Sequence, residues 1–85
     1  MNIKTIVIAG QRGDIEITRN DDGAYVMEGE VCIAAFKRDD DRDARYAKAA
    51  EVAKAVYGTD RRGRAAATNS MIHDVLYEIE RVAGC

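Results

Sequence analysis

Three segments and three single residues of this 85-residue chain carry side chains or spacing suited to chemistry. The densest is Asp39, Asp40, Asp41 and Asp43, whose oxygens suit a hard cation or imitate the phosphates of a nucleic acid. The spacing lacks the central glycine and distal glutamate of a calcium loop, and Arg38, Arg42 and Arg45 interrupt it. The run therefore reads as helix capping and solvated charge, with phosphate mimicry toward a basic groove as its functional alternative. Arg61, Arg62 and Arg64 are guanidinium groups suited to phosphate or carboxylate, but no aromatic residues interleave them as in a nucleic-acid platform. Gly10-Gln11-Arg12-Gly13 follows an apolar stretch as a phosphate loop would. It lacks the third glycine and following helix of a dinucleotide fingerprint and the Gly-Lys-Ser/Thr of a P-loop, so it reads as a hairpin turn.

His73 is the single histidine, and no Ser, Cys or carboxylate stands with it in a recognisable catalytic order. Cys32 and Cys85 fit no Cys-x-x-Cys or Cys/His spacing and read as free thiols. No nucleophile, base and orienting group can be assembled from these residues, and none of them implies a metal or cofactor. The expectation is a non-enzymatic protein.

Composition narrows the classes further. A chain of this length holds a single domain, residues 1-85, with a small core. With 47% hydrophobic and 33% charged residues it reads as soluble and globular, and its longest apolar run, Val31 to Phe36, is far short of a bilayer span. No apolar leader precedes the first expected strand, so the expected compartment is the cytoplasm. A net charge of −2 argues against binding that rests mainly on neutralising phosphates.

The elements that must position these residues follow from periodicity. The first half alternates with period two between turn signals, which predicts four antiparallel strands: Ile3 to Ala9, Asp14 to Arg19, Ala24 to Met27 and Glu30 to Lys37. The turns are Gly10 to Gly13, Asn20-Asp21-Asp22-Gly23, and a two-residue loop at Glu28-Gly29. These loops oppose Ile8 to Ile15, Ile6 to Ile17, Ile17 to Val26, Val26 to Val31 and Ala24 to Ile33. One face thus collects Ile6, Ile8, Ile15, Ile17, Val26, Val31 and Ile33. The other collects Thr5, Val7, Glu16, Thr18, Tyr25, Met27, Glu30, Cys32 and Phe36, a mixed surface for water, a partner or a second copy.

The second half changes to period 3.6. A first helix, about Asp41 to Tyr57, carries the stripe Tyr46, Ala49, Ala50, Ala53, Val56 and Tyr57, with an aspartate cap and Gly58 as its stop. After Thr59 to Gly63 a second helix carries Ile72, Val75, Leu76, Ile79, Val82 and Ala83 and ends at Gly84. Both helices are expected on the aliphatic sheet face, giving a two-layer ββββαα, α+β domain.

In this order of elements, with the Asn20-Asp21-Asp22-Gly23 turn, the Tyr57-Gly58 helix end and the Gly63-Arg64 pair opening the last helix, the chain resembles small phage-encoded anti-CRISPR proteins. The resemblance implies a non-enzymatic inhibitor that binds a CRISPR effector complex in the host cytoplasm and blocks target DNA. The residues expected to meet such a partner are Asp39, Asp40, Asp41 and Asp43 at the acidic edge and Glu16, Tyr25, Met27 and Glu30 on the open sheet face. The alternative is an accessory protein that binds nucleic acid through Arg61, Arg62 and Arg64, or a homodimer through the open sheet face.

Overall fold

A computed structural model describes residues 4–84, so Ile3 and Cys85 lie outside the described residues. Strands β1 (Thr5–Ala9), β2 (Asp14–Arg19), β3 (Gly23–Glu28) and β4 (Val31–Lys37) precede helices α1 (Arg42–Tyr57) and α2 (Asn69–Ala83). The strands form one antiparallel meander in the order β1-β2-β3-β4. This is the ββββαα arrangement that the periodicities predict. No helix among the described residues is long and apolar enough to cross a membrane.

The first two pairings have the expected register, with Ile6 opposite Ile17, Ile8 opposite Ile15 and Ile17 opposite Val26. Asn20 sets the second turn by accepting the amides of Asp22 and Gly23 on its side-chain oxygen, at 3.1 and 2.8 Å. The Gly10 turn is fixed from outside, because the Gln11 amide donates to the Ala55 carbonyl of α1 at 2.9 Å. A Cβ at Gly10 would lie 2.9 Å from that same carbonyl oxygen, so the close approach requires glycine.

The third pairing departs from expectation. Glu28 stays in the strand opposite Val31, which makes Gly29-Glu30 the loop, one residue later than predicted. A loop at Glu28-Gly29 of the type with two left-handed residues would force Glu28 into positive φ. The observed loop needs it only at Gly29, where φ is +61°. One extra residue, Ile33, then bulges between the pairs Met27–Cys32 and Val26–Ala34. A single inserted residue exchanges the faces of everything beyond it. Phe36 therefore turns inward opposite Ala24 and is 4% exposed, and Ile33 is half-buried at the bulge; Val31, before the bulge, is carried by the later loop to the sheet's end opposite Glu28 and is 62% exposed. Without the bulge Ala35 would face the helices in its place, so the kink exchanges a methyl group for an aromatic ring in the core.

The helices cover the aliphatic face, with α1 packed over β4, α2 over β2 and β3, and each against the other. Asp41 caps α1 by accepting the Ala44 amide at 2.8 Å. Because α1 meets two neighbours, it buries more than the predicted stripe: Val52 and Ala55 join Ala49, Ala53 and Val56, while Tyr46, Ala50 and Tyr57 remain half-buried. All six predicted apolar positions of α2 are buried. Its start is later than predicted, at Asn69, because Thr59 and Ala65 form a β-bridge that holds residues 59–65 in a hairpin-like loop. Thr68 then caps the helix through the Met71 amide, so the Gly63-Arg64 pair lies in the loop and does not open the helix.

Candidate protein-docking surface

The face of the sheet turned away from the helices is bare among the described residues. Its side chains form two rows across the strands: Thr5, Thr18, Tyr25 and Ala35 in one, Val7, Glu16, Met27 and Cys32 in the other. Val7 is 57% exposed, Tyr25 and Met27 are half-buried, and Ala35 and Cys32 are exposed. Glu16 stands between Val7 and Met27, its two cross-strand neighbours. Asp14 points to the same side two residues earlier on β2. The arrangement is an apolar floor around an exposed carboxylate, a surface that can accept a cationic side chain framed by apolar groups.

Of the residues expected at a partner interface, the fold brings Glu16, Tyr25 and Met27 together on this face. Glu30 sits at its rim in the β3–β4 loop. Phe36, placed here by the predicted register, belongs to the core, and Ala35 and Lys37 take the open side at that end of β4. The acidic run lies at the other end of β4, roughly 20 Å from Glu30 along a strand of seven residues. The two sets are separate surfaces.

Within the acidic run the carboxylates have different tasks. Asp40 accepts the Lys48 ammonium at 2.5 Å and the Lys37 amide at 3.0 Å, and these two bonds, Lys48 first, hold its carboxyl below the ordinary aspartate range. Asp41 is committed to the helix cap, while Asp39 and the first-turn residue Asp43 are exposed. Sequence reasoning treated Arg38 and Arg45 as charges interrupting this run and missed their structural role. Arg38 donates to the carbonyls of Ala83, Asp21 and Asn20, and Arg45 donates to those of Asp40 and Arg38 and pairs with Glu80 at 2.8 Å. Their partners are as many as 45 residues away in sequence, so no local spacing announces them.

In the α1–α2 connection, Asp60 accepts the amides of Arg62 and Arg64 on one side-chain oxygen, at 2.8 and 3.0 Å. The Arg64 amide, followed by that of Arg62, lowers the Asp60 pKa. Arg64 also pairs with Asp60 at 3.5 Å, which leaves Arg61 and Arg62 as exposed side chains at the loop tip. His73 is exposed on α2, with Nδ1 2.9 Å from the Asn69 carbonyl oxygen and its ring tilted against Tyr46. Tyr46 donates to the Asn69 side chain at 2.5 Å, so Tyr46, Asn69 and His73, on one wall of a groove of about 650 Å³, are paired among themselves. Among the described residues no three of His, Cys, Asp and Glu are grouped to hold a metal ion. Cys32 is exposed on the open face, its thiol 3.5 Å from the Ala34 carbonyl.

No family model, curated protein or solved structure matches the chain. A functional reading of the fold rests on its own surfaces.

Proposed function

We propose that this chain is a non-enzymatic inhibitor that binds another protein through the open face of its sheet, with Val7, Tyr25 and Met27 as the apolar contact and Glu16 as the charged one. The observation that carries the reading is the bare face itself, an apolar floor with one exposed carboxylate at its centre. A second copy laid face to face would bring like carboxylates toward each other, which favours a partner with a lysine or arginine set among apolar groups. On the resemblance in element order, the proposed partner is a CRISPR effector complex, and the proposed outcome is loss of its target-DNA binding. Of the acidic run, Asp39 and Asp43 are the members left for such a partner, since Asp40 and Asp41 hold the start of α1.

Binding of purified effector complex to target DNA, measured with and without the protein, tests this reading. Wild-type protein is expected to inhibit, and Glu16→Arg and Met27→Lys to lose inhibition while keeping the wild-type melting temperature. Inhibition undiminished in both variants would remove the open face as the site. The second reading, nucleic-acid contact, is favoured by the ordered loop that presents Arg61 and Arg62. It requires direct DNA or RNA binding that weakens steeply with salt and with an Arg61→Ala, Arg62→Ala double variant.

A further inference from the structure

The two edges of the sheet are built differently. At the β4 edge, Ile33 bulges, the Lys37 amide is capped by the Asp40 carboxylate at 3.0 Å, and α1 packs over the strand. A bulge and a charged residue are devices that stop an edge from pairing with another chain. The β1 edge has neither. From Thr5 to Ala9 it contains no charged residue and no bulge, and Val7 is 57% exposed.

Its main-chain groups point the right way for pairing. The Arg19 amide donates to the Lys4 carbonyl at 2.7 Å, and bonded and unbonded pairs alternate along an antiparallel ladder. The main-chain groups of Lys4, Ile6 and Ile8 therefore face β2, and those of Thr5, Val7 and Ala9 face outward. The Thr5 and Thr18 hydroxyls, 3.3 Å apart, show the close side-chain approach of an unbonded pair. Above this edge there is room as well: α2 packs over β2 and β3 and α1 over β4. Ile6 and Ile8 are left half-buried while their β2 neighbours Ile17 and Ile15 are fully buried.

The strand is also nearly palindromic. Thr-Ile-Val-Ile-Ala reads the same in both directions about Val7, apart from its two end residues. We propose that β1 pairs antiparallel with β1 of a second copy about a two-fold axis at Val7. Val7 then bonds to the second copy's Val7, and Thr5 to its Ala9, using every outward amide and carbonyl of the strand. On the helix side Ile6 lies opposite the second copy's Ile8, so the half-buried pair on each chain is covered by the same pair on the other. An eight-stranded sheet results, and the two open faces become one surface. The Glu16 carboxylates, on β2 of each copy, stand about 14 Å apart, beyond the screening length of about 10 Å in 0.1 M salt, and do not oppose the pairing. A five-residue edge buries little area, so the dimer is concentration-dependent.

Sedimentation equilibrium from micromolar to millimolar concentration tests the pairing, with amide hydrogen exchange as the second measurement. Wild-type protein is expected to approach twice the 9.4 kDa chain mass as concentration rises, with the Thr5, Val7 and Ala9 amides slowed in the dimer. Val7→Lys places like charges on the axis without disturbing the core and should weaken association by roughly tenfold or more. In that variant the three outward amides exchange freely, while slow Ile6 and Ile8 amides show that the strand is still folded. Thr18→Lys alters the open face on β2 and should leave the dimer intact. A wild-type protein that stays single-chain at millimolar concentration overturns the proposal, as does a Val7→Lys dimer of unchanged strength. Dissociation by Thr18→Lys equal to that by Val7→Lys would place the contact on the open face and reject the edge. This inference is independent of the proposed inhibitor function, which is read from Glu16→Arg and Met27→Lys.

Discussion

One sheet presents two unlike faces. On the helix side Ile15, Ile17, Ala24 and Val26 are fully buried and Phe36 nearly so, and on the other side Val7, Tyr25, Met27 and Cys32 surround Glu16 in the open. Their strands, turns and backbone hydrogen bonds are shared, so backbone structure does not distinguish them. What separates them is the helix layer, which removes one face from water and leaves the other free to change without cost to the core. The covered face should therefore govern stability, and the open face binding.

The sharpest way to break that division is through the core. Ile17→Ala and Phe36→Ala should each lower unfolding free energy by about 3 to 5 kcal/mol, a transfer loss plus the cavity left behind. Tyr25→Ala, across the sheet from both, should cost well under half of that, since its ring has no helix layer to lose. Urea midpoints of the three variants decide the matter. A Tyr25→Ala loss equal to that of Ile17→Ala would mean that the open face is also core.

Next in size are the residues that hold the helix layer to the sheet at the start of α1. Asp41→Ala removes the acceptor of the Ala44 amide and should cost around 1 kcal/mol. Asp39→Ala, on the exposed side of the same run, should cost less than about 0.5 kcal/mol. Thermal melts of the pair check this, and equal losses would show that the run acts as a diffuse charge cluster instead of a single cap.

A smaller effect appears on acidification. The Asp40 pKa lies below its ordinary 3.8 because the folded state holds its carboxylate with Lys48 and the Lys37 amide. The unfolded chain takes up that proton first, so the stabilisation is complete above about pH 5 and fades as pH falls through the unfolded and then the lowered folded value. Lys48→Met removes the leading cause and should flatten this acid limb of the stability curve. Asp60, lowered by the Arg64 and Arg62 amides, adds a limb of the same sign that Lys48→Met leaves in place.

How much of this was legible in the sequence depends on the range of the interaction. The strand alternation, the aspartate cap, the α2 stripe and the β1–β2 and β2–β3 registers are local or nearly so, and residue order gives them directly. Two things were hidden. Arg38 and Arg45 act on carbonyls and a carboxylate that only the tertiary fold brings near. The β4 bulge was hidden because it resolves a competition between a loop that favours glycine at its first position and a single phenylalanine that gains by burial. Neither demand alone shifts the strand. The open face was readable as a mixed surface, and the two expected registers already set Glu16 between Val7 and Met27; only its β4 row, with Ala35 in place of Phe36, depended on the bulge.

The smallest effect tests that register. Val31 and Phe36 both lie on β4, and a hairpin with Val26 opposite Val31 would bury the first and expose the second. In the observed strand the later loop carries Val31 to the end of the sheet opposite Glu28, where it is 62% exposed, and the bulge at Ile33 turns Phe36 inward, where it is 4% exposed. Val31→Ala should then change stability by no more than about 0.5 kcal/mol, the range of surface substitutions, although it deletes two methyl groups from a strand of the core sheet. An unbulged strand with Val31 in the core would instead lose roughly 1 to 3 kcal/mol on truncation, and Phe36→Ala would be nearly silent. Measuring the two variants side by side in urea reads the register of β4 at both ends, because the two registers predict opposite orders of stability.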